Sequence, residues 1–326
     1  MTIYGFLIAI LFVSPLIVWE IVGGLIAWKL LYSDHHQIPS RRTPADDGIE
    51  STSININLGD SKFIAAWMLT PTTKTNLGGA CIVMVHGYDS GKDKLWEFPD
   101  DGDYSASTLD QGARSLWQAG FFVVAIDLRN HGQSSNNGPV TLGARESEDV
   151  LATVQYLVDN ASELGIDPNK IALRGESMGG ATCLIAAAKD KKGHVSAVWS
   201  DSAYCRADSA ILDFIRYKGL PVLFAKPARR WLVRLTGVNL SEASPLDYIE
   251  QIQCPVFLTH SSDDTMLPLR HLDQLTQSDD WLITPQSWVV NGHQHNRLWR
   301  EPEYQATQIQ FFQTQLASES SPAKAA

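Results

Sequence analysis

Cysteine is scarce in this chain and does not cluster. Cys81, Cys183, Cys205 and Cys254 are the only four. No two form a C-x-x-C pair, so neither a disulfide framework nor a thiolate metal site is expected; they read as buried free thiols. Basic runs are missing too. Lys and Arg number 26 against 36 Asp and Glu, a net charge of −10. Without a cationic stretch, nucleic acid is excluded as an expected partner. Internal repeats and low-complexity blocks are absent. Charge is nearly missing from residues 3–32, where only Glu20 and Lys29 interrupt IYGFLIAILFVSPLIVWEIVGGLIAWKLLY.

That stretch exceeds the ~20 apolar residues needed to cross a bilayer. It lacks the basic start and the A-x-A site of a cleaved signal peptide. It reads as an N-terminal transmembrane helix over residues 1–32, with a buried core helix as the competing reading. Glu20 would cost about 3 kcal/mol in the bilayer core, which the surrounding Leu, Ile, Val and Phe offset. Trp28 and Tyr32 suit an interface. Lys29, Arg41 and Arg42 sit at the end of the stretch or beyond it, so the positive-inside tendency puts the rest of the chain in the cytoplasm. The expectation is therefore a single-pass membrane protein with a cytoplasmic domain. Residues 33–50, with Pro39 and Pro44, read as a linker.

The remainder is rich in apolar segments; the whole chain is 44% hydrophobic and 19% charged, as globular proteins are. Residues 54–58 and 63–69 flank Gly59-Asp60 and read as a β-hairpin. Short apolar runs follow: ACIVMVH (80–86), FFVVAID (121–127), KIALRG (170–175), SAVWSD (196–201), CPVFLTH (254–260) and SWVVNG (287–292). Helical patterns cover 105–119, 143–159, 177–189 and 298–316. Apolar strands alternating with helices predict an α/β fold, a mostly parallel sheet of about eight strands with helices on both faces. Residues 202–250 carry no strand signal and read either as a lid over the site or as a packed excursion. Residues 319–326 read as a flexible tail.

The chemistry centres on Gly175-Glu176-Ser177-Met178-Gly179. A G-x-S-x-G alone is a weak signal, and Ser177 could simply cap a helix. Here it follows a strand and opens a helix, the setting of a nucleophile elbow. A serine hydroxyl needs a base, and the base needs a carboxylate to orient it. Loops after later strands supply both: Ser262-Asp263-Asp264-Thr265 and His293-Gln294-His295-Asn296. The order Ser, Asp, His is that of α/β-hydrolases.

On these motifs the chain resembles the α/β-hydrolase superfamily over about residues 51–316. It is similar to prolyl oligopeptidase-like hydrolases and to membrane-anchored α/β-hydrolase-domain proteins. The resemblance implies a domain over 51–318 and a Ser177-Asp264-His295 triad. Its H-G-x-x-D-x-x-V-P pattern falls on His260 to Pro268, with Ser261 for the glycine and Leu267 for the valine, and puts the acid at Asp264. Asp263 and His293 remain the alternatives. His86-Gly87-Tyr88 resembles the family's H-G-x motif, so the oxyanion donors would be the backbone N–H groups of Met178 and Tyr88, with His86 structural. Asp127 to Ser134 matches D-x-R-x-H-G-x-S, which shapes a turn and gives His131 no catalytic role. His35, His36, His194 and His271 read as surface residues. The implied activity is hydrolysis of a small-molecule or lipid carboxylic ester without cofactor or metal. A peptidase, an acyltransferase and a non-catalytic binding protein of the same fold are the alternatives.

Overall fold

A computed structural model describes residues 3–32, 43–72, 77–93 and 112–317, with the side chains of the first helix described from Pro15 onward. Most of the expected linker, residues 105–111, the tail, His35 and His36 lie outside the described residues.

The described elements run in order as follows. Helix α1 (Ile3–Leu31) leads to the hairpin β1 (Ser51–Gly59) and β2 (Lys62–Leu69), then β3 (Cys81–Val85), α2 (Ala113–Gln118) and β4 (Phe122–Ile126). Next come α3 (Glu146–Asp159), α4 (Ala161–Leu164), β5 (Ile171–Glu176), α5 (Met178–Lys189) and β6 (Val195–Asp201). Helices α6 (Ala207–Tyr217) and α7 (Ala225–Thr236) precede β7 (Val256–Ser261), α8 (Arg270–Thr276), β8 (Gln286–Val290) and α9 (Tyr304–Ala317).

The strands form one eight-stranded sheet in the order β1-β2-β4-β3-β5-β6-β7-β8. Both neighbours of β2 pair with it antiparallel, and every other pair is parallel. This is the α/β-hydrolase fold. Strands β3 and β4 are apolar at every position because both faces are covered. In β3, Cys81, Val83 and Val85 join a core shared with α3 and α5, while Ile82 and Met84 face a second core with α2 and α9. Each fully buried Val or Ile contributes roughly 1.5–3 kcal/mol. In the second core Trp199 stacks on Phe257 at 4.4 Å between centroids and meets Tyr304 edge-on. The four cysteines are all buried and unpaired, and burial pushes their thiols up, Cys254 to about 12.

The transmembrane reading fails. Among the described residues no helix is long and apolar enough to cross a membrane, and the single-pass membrane placement with a cytoplasmic domain goes with it. The physical reason lies in what the helix touches. Ala27, Leu30 and Leu31 are buried in the main core, so the second half of α1 packs on protein, as the competing reading allowed. Glu20 is satisfied by Arg230 and by the Trp231 indole N–H at 3.0 Å. Trp19 donates to the Leu223 carbonyl at 2.7 Å. A Cβ on Gly23 would lie 2.4 Å from Pro227 Cβ, so glycine is what lets α1 approach α7.

The D-x-R-x-H-G-x-S segment is a turn tied down by charge. Asp127 accepts from the Lys92 and Gln133 backbone N–H groups at 2.7 and 2.8 Å and from the Lys92 ammonium at 2.5 Å. Arg129 grips Asp149 of α3 with contacts of 2.7–3.1 Å. Burial raises the Asp149 carboxyl to about 6 in spite of that guanidinium. Removing one partner of a buried pair strands the other. Asp149→Ala is expected to cost roughly 3–5 kcal/mol of stability in urea unfolding, and a loss below about 1 kcal/mol, the range of exposed pairs, would show that the pair carries little.

Candidate active site

Strand β5 delivers the chain to Ser177 and α5 carries it away. Ser177 holds φ 52° and ψ −119°, a left-handed conformation rare for a residue with a side chain. Its N–H is anchored on the Asp201 carbonyl at 2.8 Å. Such a turn needs room on either side. A Cβ on Gly175 would sit 2.3 Å from the Gly179 carbonyl oxygen, and one on Gly179 2.3 Å from that of Val85. The two glycines let the start of α5 lie directly against the ends of β5 and β3.

The loop after β7 brings Asp264, and the loop after β8 brings His295. His295 Nε2 lies 2.8 Å from Ser177 Oγ, and its Nδ1 lies 2.5 Å from Asp264 Oδ2. The arrangement fits Nδ1–H donating to the carboxylate and Nε2 accepting from the hydroxyl. The other Asp264 oxygen accepts from the Met266 and Leu267 N–H groups at 2.9 and 2.8 Å. Burial alone would raise the Asp264 pKa. The hydrogen bond and charge of His295, with the Leu267 N–H and His260, outweigh it, and the net direction is down. His260 is buried beside it, donates Nε2–H to the Leu267 carbonyl at 2.7 Å, and is shifted toward its neutral form by burial.

The alternatives point elsewhere. Asp263 accepts from the Gly292 N–H at 2.6 Å. His293 Nε2 faces Glu301 at 3.5 Å, and the His293 carbonyl takes the Ser261 hydroxyl. Met178 is the first residue of α5, where the N–H has no acceptor within the helix. Gly87 lies against Ser177, its ideal Cβ position 3.4 Å from Ser177 Cβ, and Tyr88 and Met178 line one cleft with Ser177 and His295. His86 is buried, with Nδ1 on the Gly87 carbonyl at 2.7 Å and Nε2 accepting from the Leu128 N–H at 3.0 Å, which holds this loop to the end of β4.

Other contacts escaped the sequence reading. Beneath the elbow, Arg174 pairs with Glu176 at 3.1 Å, and Tyr304 donates to Asp201 at 2.7 Å while accepting from Trp199 Nε1 at 3.0 Å. These partners come from β5, β6 and α9. His271 is not a surface residue: it is fully buried, with Nε2 2.9 Å from Asp213 Oδ2 of α6, 58 positions away. Its isolated place in the sequence gave no sign of that partner. The interval 202–250 supplies α6, whose Ile211 and Phe214 line the cleft.

A family model with the description BD-FAE matches residues 69–278, a span that holds Ser177 and Asp264 and ends before His295. The chain is 28% identical over 158 residues to the uncharacterized protein YqkD of Bacillus subtilis, covering 48% of this chain and 50% of that one. It is 28% identical over 177 residues to the human serine hydrolase BPHL, covering 47% and 57%. It thus spans about half the length of the curated relatives it matches. Among solved structures it is similar to the Pyrococcus furiosus esterase Pf2001, with a TM-score of 0.66, 21% identity and coverage of 88% of this chain and 99% of that one. That likeness is one of fold.

The Asp264 shift has a sign that can be checked. Its folded pKa lies below the unfolded value of about 3.9, so pairing stabilises the fold above that pH and the contribution is lost as pH falls through the folded pKa. Urea unfolding at a series of pH values is expected to show Asp264→Asn less stable than wild type at neutral pH, with the gap closing in acid. A gap that stays constant to the acid limit would contradict the pairing.

Proposed function

We propose that this chain, which belongs to the BD-FAE family and has the α/β-hydrolase fold, is a serine hydrolase that cleaves carboxylic esters through an acyl-enzyme on Ser177. The observation that carries the reading is the continuous hydrogen-bonded chain Ser177–His295–Asp264, with the serine on a left-handed elbow.

His295 Nε2 takes the Ser177 proton as Oγ bonds to the ester carbonyl carbon. The negative charge that develops on the carbonyl oxygen is held by the N–H groups of Met178 and Tyr88, an environment that costs no reorganisation when the charge appears. The start of α5 adds a favourable dipole. The tetrahedral species collapses, the carbon–oxygen bond to the alcohol breaks, and His295 returns its proton to the leaving oxygen. Water then repeats the cycle, losing a proton to His295 and releasing the acid and free Ser177. Asp264 keeps Nδ1 protonated and stabilises the imidazolium while it exists. Every proton taken is returned, so these residues complete the reaction by themselves.

A peptidase, or a transferase that passes the acyl group to an alcohol, would use the same residues. Among the described residues no contact in the cleft favours either, and an acceptor-competition assay separates transfer from hydrolysis. The test of the main reading is fluorophosphonate labelling and p-nitrophenyl ester turnover. Ser177→Ala is expected to lose labelling and about 10³–10⁴-fold or more in kcat with the fold intact. Ester turnover persisting in Ser177→Ala would sink the assignment. His295→Ala is expected to fall by a similar factor while His293→Ala stays within about tenfold of wild type; the reverse order would move the base to His293.

A further inference from the structure

The chemistry at Ser177 needs a nucleophile, a base, an acid and an oxyanion site. The cleft holds more than that. A cavity of about 950 Å³ opens from Ser177 and His295, near the upper end of the ~300–1,000 Å³ typical of small-ligand sites. One wall is α1, through Val22, Leu25, Ile26 and Leu30, and Ile211 and Phe214 of α6 also line it. None of these side chains offers a hydrogen-bonding group; Lys29 is the one polar side chain that α1 adds to the cavity. A second apolar groove of about 520 Å³ runs along the same helix, bordered by Leu16, Ile17, Ile21 and Trp28 with Trp231 and Leu235 of α7. The two share Leu25, so apolar lining leads from the nucleophile outward along α1.

The helix is held in that position by specific contacts. Gly23 seats it on Pro227, and Glu20 is taken by Arg230 and Trp231. At its other end the Tyr88 hydroxyl donates to the Lys29 carbonyl at 2.7 Å, and the Val140 N–H donates to Leu31 at 2.9 Å. Tyr88 is one of the assigned oxyanion donors, so α1 is tied directly to the loop that serves the reaction.

We infer that α1 is the outer wall of an acyl-binding cleft, and that the substrate is a fatty acyl ester whose hydrocarbon chain lies between α1 and α6. This rests on the ester-hydrolase reading above. A peptide would need a partner for each backbone amide along this wall, and Lys29 is the one polar side chain that α1 brings to the cavity. A hydrocarbon chain needs only apolar surface, and each methylene it buries raises kcat/KM up to about fourfold.

The experiment compares kcat/KM on p-nitrophenyl acetate and p-nitrophenyl decanoate for the full chain, with fluorophosphonate titration counting intact sites. The variants are Gly23→Val, which forces α1 off Pro227, and Leu25→Glu, which puts a charge where the two cavities meet. Leu25 is 61% exposed, so Leu25→Glu decides the matter even if Gly23→Val does not fold. Val18→Ser is the control, on a residue 56% exposed that lines neither cavity. Wild type is expected to favour decanoate by at least about tenfold, Gly23→Val and Leu25→Glu to lower that ratio by about tenfold or more, and Val18→Ser to leave it unchanged. Wild-type acetate turnover without a decanoate preference, or a preference untouched by Leu25→Glu, overturns the acyl cleft and leaves the ester hydrolase standing. Wild type that neither labels nor turns over acetate overturns both.

Discussion

The fold's chemistry hangs on one steric constraint, the contact of α5 with the ends of β3 and β5. Gly175 and Gly179 have no space for a Cβ because backbone atoms of the facing segment already occupy it. Only under that contact can Ser177 stand at the end of β5 in a left-handed conformation, with its hydroxyl clear of the sheet. Any relaxation that widened the gap would lower Ser177 toward an ordinary helix start. The sheet supplies the stiffness: β5 is central, paired with β3 on one side and β6 on the other, and the Ser177 N–H is fixed by the Asp201 carbonyl at the end of β6. Strain of this kind persists where the surroundings over-determine the backbone.

The second organising feature is the way α1 is bound. A helix with so few charges could satisfy its apolar side chains in many settings. Glu20 restricts them, because a carboxylate at the middle of the helix needs partners, and Arg230 with Trp231 provides them from α7. That helix belongs to the interval between β6 and β7, so two segments far apart in the chain form one layer beside Ser177 and His295. Asp213 links α6 of the same layer to His271 on α8, and α8 follows the loop that carries Asp264. The layer that lines the cleft and the loop that carries Asp264 are therefore mechanically joined. Burial tends to raise the Asp213 carboxyl, but His271 and Arg270 outweigh it and hold it down, which keeps this link charged.

Much of this was legible in the residues. The six apolar runs became strands within about two positions, a normal disagreement at element ends, because strands inside a covered sheet bury mostly apolar side chains. Ser177 stood out because glycines flank it between a strand and a helix, and Asp264 and His295 because they follow strands in the required order. The choice between neighbours was less clear. Asp263 and Asp264 are adjacent, and His293 and His295 are two apart, so one residue of register separates the carboxylate on His295 from the one on Gly292, and two separate the imidazole on Ser177 from the one facing Glu301.

The sequence by itself determined the sheet, the elbow and the order of the loops carrying Asp264 and His295, since these depend on local periodicity, glycine sterics and chain order. The tertiary structure alone decided the place of α1. Hydropathy measures how unwelcome water is to a segment; it does not say whether lipid or protein replaces the water. Gly23 reads as a small residue in an apolar run until Pro227 is found against it, and Glu20 reads as an isolated cost until Arg230 is found beside it. The same holds for the charges of Arg174, Glu176 and Asp213, which are tolerable inside the protein only because partners meet them at hydrogen-bonding distance, and for the cleft, whose lining comes from helices that no local pattern brings together.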